Sequence, residues 1–167
     1  MKTCINLIFM FFAVLTVFSC RGEDGEDGDP GENGNTNVIV SDWKFSTLPK
    51  DTVIDNTTVR VVTVAAPELT AARHEKSVVY VYLDYGGGPF PLPFTSRNGN
   101  RTSTITYFTK VGKVRPIRIP DDGGATLSIP SFIQFRYLII PSGSLKNSSQ
   151  VDYNDYEAVK KYYNIKD

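Results

Sequence analysis

The feature that most constrains the fold of this chain is a series of short β-rich segments separated by glycine, proline and asparagine. The clearest is residues 78–85 (VVYVYLDY), where Val79, Val81 and Leu83 alternate with tyrosines. Alternation with a period of two places the two groups on opposite faces of a strand. The same reasoning predicts strands at residues 38–45, 58–64, 103–110, 113–119, 125–129 and 132–140. About seven short strands favour a mainly β fold, either an antiparallel β-sandwich or an open barrel.

Two of these segments are expected to pair as a hairpin. Residues 103–110 and 113–119 flank Val111 and Gly112, which can form a two-residue turn. Pro116 lies in the second arm and has no amide hydrogen for a ladder, so it indicates an edge strand or a bulge. Residues 132–140 begin with alternation and end apolar on both faces, which predicts a central strand.

Two helices are predicted beside the strands. Residues 67–75 (PELTAARHE) begin with proline, which is favoured at a helix start, and are expected to form a short internal helix. Residues 154–163 (NDYEAVKKYY) follow Asp152, a suitable N-cap, and are expected to form a C-terminal helix. One stripe of the second helix carries the side chains expected to pack on a sheet: Tyr156, Val159, Tyr162 and Tyr163.

The N-terminal residues have the features of a secretion signal. An apolar run at residues 7–18 follows Lys2 and is shorter than the roughly 20 residues of a transmembrane helix. Cleavage after residue 19 makes Cys20 the new N-terminus, and acylation there would anchor the protein to a membrane. The alternative is an ordinary signal peptide that is cut elsewhere. We therefore predict a signal at residues 1–19, a lipidated cysteine and tether at 20–37, and one domain at 38–167.

Five Gly-X-Y triplets follow Cys20, at residues 22–36. The collagen triple helix requires glycine at every third position, but so short a run favours a solvated spacer, with trimerisation as the alternative. The spacer is expected to extend by self-repulsion because it is strongly acidic. Its carboxylates are Glu23, Asp24, Glu26, Asp27, Asp29 and Glu32.

Charge is segregated along the chain, although 18 acidic and 18 basic residues make it neutral overall. No acidic residue lies between Asp84 and Asp121. A stretch of one sign attracts anions, so phosphorylated or sulfated glycans are candidate ligands; the alternative is a set of solvated faces and edge-protecting cations. Residues 86–100 combine glycine, proline and aromatic residues and are the predicted contact surface. The predicted anion or glycan contacts are Arg97, Arg101, Lys110, Lys113, Arg115 and Arg118.

Little in the sequence indicates catalysis. His74 is the only histidine and is expected to be an exposed residue at a helix end. Because the sequence has no cysteine–histidine cluster and no phosphate-binding loop, we expect no metal, no cofactor and no nucleic-acid partner. A glycan hydrolase with two carboxylates is the least favoured alternative, and Asp84, Asp121 and Asp122 are its candidates.

Aromatic side chains crowd the stretch around residues 80–94. They could stack on sugar rings, but packing within a small sandwich is the favoured interpretation. Trp43, the only tryptophan, is expected to be a core anchor. The crowded residues are Tyr80, Tyr82, Tyr85, Phe90 and Phe94.

Several segments together resemble a group of uncharacterised surface lipoproteins of Bacteroidota. The segment VFSC ending at Cys20 is followed by the Gly-X-Y tract and by VIVSDW, which ends at Trp43. Further similar segments are the helix before VVYVY, PLP at residues 91–93, FRYLIIP at 135–141 and DYEAVKKYYNI at 155–165.

This resemblance implies a small β-rich domain held outside the cell at the outer membrane, and it transfers no catalytic residue. It also implies that Glu23 and Asp24 form a surface-export signal. Thr52, in Asp51-Thr52-Val53, resembles an O-glycosylation position of the same bacteria. We therefore expect a lipid-anchored, non-enzymatic binding or adhesion module whose ligand is a glycan or a protein. The alternative is a structural or accessory subunit of a cell-envelope assembly.

Overall fold

Two antiparallel β-sheets packed face to face make up the fold. The computed structural model describes residues 37–124, 127–145 and 151–166, and all of them belong to one unit of the chain, Gly34–Asp167. Cys20, Glu23 and Asp24, with the predicted signal and nearly all of the tether, lie outside the described residues. The described ranges contain no helix long and apolar enough to cross a bilayer.

The first sheet, sheet A, has five strands in the order β1-β11-β6-β7, and β2 also pairs with β11. Its strands are β1 (Ile39–Val40), β2 (Lys44–Phe45), β6 (Ser77–Asp84), β7 (Pro89–Pro91) and β11 (Gln134–Pro141). The second sheet, sheet B, has six strands in the order β3-β4-β10-β9-β8, and β5 also pairs with β10. Its strands are β3 (Lys50–Ile54), β4 (Thr57–Val61), β5 (Val64–Ala65), β8 (Phe94–Asn98), β9 (Arg101–Lys110) and β10 (Lys113–Pro120). The helices are α1 (Ala71–Lys76) and α2 (Tyr156–Tyr162).

The mainly β fold is confirmed, and its two separate sheets form a sandwich rather than a barrel. Val81 and Leu83 of β6 are buried between the sheets, and Val79 packs beside them as predicted. Phe135, Tyr137 and Ile139 of β11 face the same interior, where they meet Val64, Ile105 and Val114 of sheet B. Each fully buried side chain of this size contributes roughly 1.5–3 kcal/mol.

The outer face of sheet A is covered by the C-terminal helix, as the aromatic stripe predicts. Tyr82, Leu138 and Ile140 of the sheet are buried under Tyr156 and Val159 of α2. Tyr163 packs against the same cluster, and Tyr162 makes an edge-on contact with the Tyr163 ring at 4.9 Å. The central position predicted for residues 132–140 is also confirmed, since β11 lies between β6 and the β1/β2 edge.

The predicted strand at residues 38–45 is divided into β1 and β2 by a side chain. The Ser41 amide donates to the Tyr137 carbonyl at 3.0 Å, and the Ser41 hydroxyl accepts from the Tyr137 amide at 3.0 Å. A side-chain oxygen therefore stands in for a backbone carbonyl, and the regular ladder is interrupted there.

Pro116 does not mark an edge strand, which corrects that part of the prediction. Strand β10 lies inside sheet B, with β9 on one side and β4 and β5 on the other. Ile117 pairs with Val61 and Val114 pairs with Val64 in one continuous register. Between these pairs the Val62 amide donates to the Pro116 carbonyl at 3.1 Å, but proline has no amide hydrogen to donate to the Val62 carbonyl. The predicted strand at residues 58–64 is therefore split into β4 and β5.

Both helices begin later than predicted. Helix α1 starts at Ala71, after the N-cap Thr70, because residues 67 and 68 form a turn closed by the Leu69 amide and the Ala66 carbonyl at 2.9 Å. Helix α2 is capped by Asp155, whose carboxylate accepts from the amides of residues 157 and 158. Asp152, the predicted cap, accepts from the Asn154 amide at 2.9 Å and closes the preceding turn.

The remaining differences concern short strands. Residues 127–129 are not in a strand, and residues 125 and 126 of that predicted segment lie outside the described residues. Strands β3, β7 and β8 were not predicted. The β3–β4 turn places Asp55 and Asn56 at positive φ values of 48° and 58°, which is the backbone of a type I′ hairpin turn.

Candidate binding cleft at one end of the sandwich

A cleft of about 260 Å³ opens between the two sheets where β6, β8 and β10 end and β9 and β11 begin. We call it the end cleft. Its volume is slightly below the roughly 300–1,000 Å³ of most small-molecule sites, so it suits one ring or one charged group of a ligand. The residues that line it are Leu83, Tyr85, Phe94, Ser96, Arg97, Ile105, Arg118, Pro130, Phe132 and Ile133.

The floor of the end cleft is apolar and its walls are aromatic. Leu83, Ile105 and Ile133 are buried core residues that form the floor. Tyr85 is 43% exposed and Phe132 is 64% exposed, so both rings present apolar area at the mouth. Exposed aromatic rings at the mouth of a cleft can pack on the apolar face of a ligand.

The walls are held in place by ring contacts. The Tyr85 ring stacks on the Phe90 ring at 5.2 Å with the planes 7° apart, and Phe94 packs on Phe90 at 4.8 Å. Tyr80 and Tyr82 belong to a separate cluster on the outer face of sheet A. In the crowded aromatic stretch, Tyr80 and Tyr82 therefore pack within the domain, whereas Tyr85 forms an exposed wall of the end cleft.

Two guanidinium groups supply the polar part of the end cleft. The Arg118 Nε donates to the Ser103 hydroxyl at 2.9 Å, and its Nη1 donates to the Ser128 carbonyl at 3.4 Å. The Arg97 Nε donates to the Gly99 carbonyl at 3.1 Å. The described lining includes no acidic residue, so neither guanidinium is neutralised by a carboxylate of the lining itself. An arginine fork beside apolar walls is suited to a carboxylate, sulfate or phosphate.

The six cations predicted as anion contacts do not form one patch. Arg97, Arg101 and Arg118 lie toward the end cleft. Lys110 and Lys113 lie at the opposite end of the β9–β10 hairpin, directly opposite one another in register. Arg101 and Lys110 are the two ends of β9, nine residue steps and roughly 30 Å apart, and Arg118 is five steps from Lys113 along β10, roughly 17 Å.

Arg101 and Arg115 have partners of their own. Arg101 forms a two-point ion pair with Asp122, at 2.9 and 3.0 Å, beside the end cleft. The hydrogen bonds from Arg101 and from the Gly124 amide lower the Asp122 pKa to about 2. The Arg115 guanidinium lies over the Phe108 ring at 5.1 Å, on the outer face of sheet B, in a cation–π contact.

The candidate catalytic residues are not among the described residues that line the end cleft. The Asp84 carboxylate accepts from the Gly86 amide at 2.7 Å, and Asp121 and Asp122 lie in the turn after β10. His74 is half-buried rather than exposed, and its Nε2 lies 3.1 Å from the Thr109 hydroxyl. Within the described ranges no three histidine, cysteine or acidic side chains lie close enough together to hold a metal ion.

Two other predicted residues are placed clearly. Trp43 packs against the cluster beneath α2, and the Arg136 guanidinium lies over its ring at 4.8 Å, so its role is structural. Thr52 is half-buried on the edge strand β3, beside the Asp51–Arg60 ion pair at 2.8 Å.

The predicted contact surface at residues 86–100 supplies only part of the end cleft. Phe94, Ser96 and Arg97 come from it, whereas Pro130 and Phe132 come from the loop before β11. The strand predicted at residues 132–140 included Phe132, but β11 begins at Gln134, so this ring lies in the loop instead. Comparisons with protein-family models, with curated proteins and with solved structures found no match to this chain.

Proposed function

We propose that this protein is a non-enzymatic binding module displayed outside the cell, and that its end cleft takes an acidic or sulfated sugar unit of a glycan. The supporting observation is the pairing of two guanidiniums, from Arg97 and Arg118, with exposed aromatic walls in a cleft whose described lining has no carboxylate. Acylation of Cys20 at the outer membrane, with Glu23 and Asp24 as the export signal, is part of the same proposal.

The two halves of the cleft would recognise two parts of one ligand. A sugar ring has an apolar face that can pack on Tyr85 or Phe132, while its anionic group can accept hydrogen bonds from the guanidiniums. Each charge-assisted hydrogen bond contributes roughly 1.5–3 kcal/mol before the cost of association is subtracted. A single cleft therefore binds weakly, and many copies on one surface would raise avidity toward a repetitive glycan.

The proposal is tested with the full chain in detergent micelles on an array of neutral and anionic glycans. Arg97→Ala should lower binding to anionic glycans about tenfold or more, because one charge-assisted contact is lost. Phe132→Ala should also weaken binding while leaving stability unchanged, since that ring is 64% exposed. Lys50→Ala, on the far edge strand β3, removes the same charge away from the cleft and is the matched control.

The proposal fails if anionic and neutral glycans bind equally, or if Lys50→Ala and Arg97→Ala reduce binding to the same extent. Arg118→Lys adds a second check. Lysine retains the charge but loses the planar fork, so it should reduce affinity more than the control does.

The accessory-subunit alternative is favoured by one observation at the edge of sheet B. Strand β3 has no partner on its outer side among the described residues, and Val53 there is 66% exposed. An open strand with exposed apolar residues can pair with another chain. Light scattering of the full chain in micelles over a range of concentrations would reveal such an assembly, and Val53→Lys should reverse it.

A further inference from the structure

The end of the sandwich opposite the end cleft carries a second group of exposed cations around an apolar tip. The β9–β10 hairpin ends there at Val111, which is 54% exposed, between the exposed residues Lys110 and Lys113. Helix α1 lies beside this tip, because His74 contacts Thr109 at 3.1 Å. We call the surface formed by Arg73, Lys76, Lys110, Val111 and Lys113 the basal surface.

The tip of the hairpin is fixed rather than free. The Gly112 amide donates to the Leu69 carbonyl at 2.8 Å, and the Ala66 amide donates to the Gly112 carbonyl at 2.9 Å. Gly112 has a φ of 74°, a conformation that favours glycine. Val111 is therefore held outward by the turn that precedes α1, and presenting it to a partner costs little ordering entropy.

The charges of the basal surface are predominantly positive. Lys110 and Lys113 are directly opposite each other across the hairpin, an arrangement that destabilises a strand pair when both charges have the same sign. Neither lysine forms a salt bridge with a described residue. Among the described acidic residues, Glu68 accepts a hydrogen bond from the Tyr137 hydroxyl, which lowers its pKa, and it also interacts with Arg73, while Glu75 is exposed on α1.

The chain reaches the domain at this same end. Ile39 pairs with Ile139, two residues before Pro141. Pro141 in turn pairs with Ser77, the residue that directly follows α1. Residue 38 therefore lies on the side of the basal surface, and the end cleft lies at the other end of the strands.

We infer that the basal surface docks on an anionic lipid bilayer, with Val111 entering the interface and the four cations contacting acidic headgroups. Apolar side chains flanked by lysine and arginine are the pattern of interfacial membrane binding. Each cation near an anionic surface adds to the attraction, and the attraction falls within about 8 Å in physiological salt. Val111 is the one apolar residue of the basal surface, so binding to the bilayer is weak. Its effect is to orient a domain that the proposed lipid anchor at Cys20 already holds near the bilayer.

The test uses residues 21–167, which contain the whole structural unit Gly34–Asp167 and exclude the segment predicted to insert into membranes. Co-sedimentation is measured with phosphatidylcholine vesicles, with and without phosphatidylglycerol as roughly a third of the lipid. The anionic lipid should raise partitioning at least tenfold at low salt. Lys110→Glu with Lys113→Glu should abolish that increase, and Val111→Ser should reduce binding several-fold without altering its salt dependence.

A control variant separates local docking from net charge. Lys50→Glu with Lys161→Glu makes the same charge change on the edge strand β3 and on α2, and it should retain most of the vesicle binding. Equal losses in the two double variants overturn the inference. So does equal binding to neutral and anionic vesicles. Binding of the basal surface to soluble heparin, without any preference between the vesicles, would assign that surface to a glycan instead.

Discussion

The two sheets of this sandwich have outer faces of opposite character. On sheet A, Tyr82, Leu138 and Ile140 lie beneath α2 and are fully buried. On sheet B no described helix covers the outer face, and its small apolar cluster of Val59, Val61 and Ile117 has only Phe108 packed against it. The outer side chains of sheet A are therefore shielded by a third layer, helix α2, whereas those of sheet B are shielded by neighbours within their own sheet.

The difference should appear in how much a lost side chain costs. Atoms removed under a packed layer leave a cavity, which adds to the lost transfer free energy. Atoms removed from an uncovered face leave space that water can enter, so only the transfer part is lost. Substitutions on the two outer faces can test this distinction.

Tyr156→Ala should have the largest effect. The ring is 5% exposed and meets the Tyr82 ring at 5.0 Å, while its hydroxyl accepts a hydrogen bond from the buried Arg136. The free energy of unfolding should fall by about 3–5 kcal/mol in urea denaturation followed by near-ultraviolet circular dichroism. Tyr156→Phe, which keeps the ring, should cost about 1.5–3 kcal/mol. Equal losses in both variants would show that the ring contributes nothing to packing.

The matched pair Ile140→Ala and Ile117→Ala tests the comparison directly. Ile140 is 0% exposed beneath α2, and Ile117 is 7% exposed on the uncovered face. We expect losses near 4 kcal/mol for Ile140 and near 2 kcal/mol for Ile117, toward the two limits of the usual range. If the two variants lose the same stability, the third layer makes no difference to the cost of a cavity.

Lys110→Glu should stabilise the domain slightly. The substitution replaces a like-charge pair with an ion pair opposite Lys113, which contributes roughly 0.2–1 kcal/mol. The gain should disappear in high salt, and Lys113→Glu should reproduce it. A destabilised Lys110→Glu variant would show that the two lysines do not repel each other in the folded protein.

The ionisable groups of the two sheets should respond at opposite ends of the pH scale. Arg101 lowers the Asp122 pKa to about 2, so the stability from this pair is present above pH 4 and is lost as pH falls toward 2. Burial on the outer face of sheet A raises the Tyr82 pKa, because the neutral phenol is favoured there. The stability contributed by the buried neutral Tyr82 is therefore present below pH 10 and is lost as pH rises further.

Urea midpoints measured across the pH range would check both directions. Asp122→Asn should flatten the acid limb only, and the effect should be small because the ion pair is exposed. Tyr82→Phe should flatten the alkaline limb only. A change in the opposite limb would contradict the assignment of each group.

Local pattern was sufficient to predict the long strands and their faces. Alternation in residues 78–85 separates the inner valines from the outer tyrosines as observed. Helix starts were predicted too early, because Pro67 lies in the turn before α1 and because Asp155 rather than Asp152 has the geometry to cap α2. The Asp55–Asn56 turn could have been recognised, since both residue types tolerate positive φ.

The end cleft could not be predicted in the same way. Arg97 and Phe132 are 35 positions apart in the chain, and only the packing of sheet B on sheet A brings them to one cleft. Charge runs also mislead, because consecutive cations on a hairpin are distributed along its whole length. Of the six basic residues in one acid-free interval, three lie toward the end cleft, two lie at the opposite end of the hairpin, and Arg115 lies apart on the outer face of sheet B.

The Ser41 contact has a mechanical consequence. Strand β1 has only two residues, so a pull on the chain at residue 38 loads very few ladder bonds before it reaches Ser41. Ser41 is joined to Tyr137 by two hydrogen bonds, one from its amide and one to its hydroxyl. Both bonds must break before the chain can separate further from β11. Under flow or shear, the resistance of this edge of sheet A to peeling would then depend on the Ser41 hydroxyl as well as on backbone hydrogen bonds.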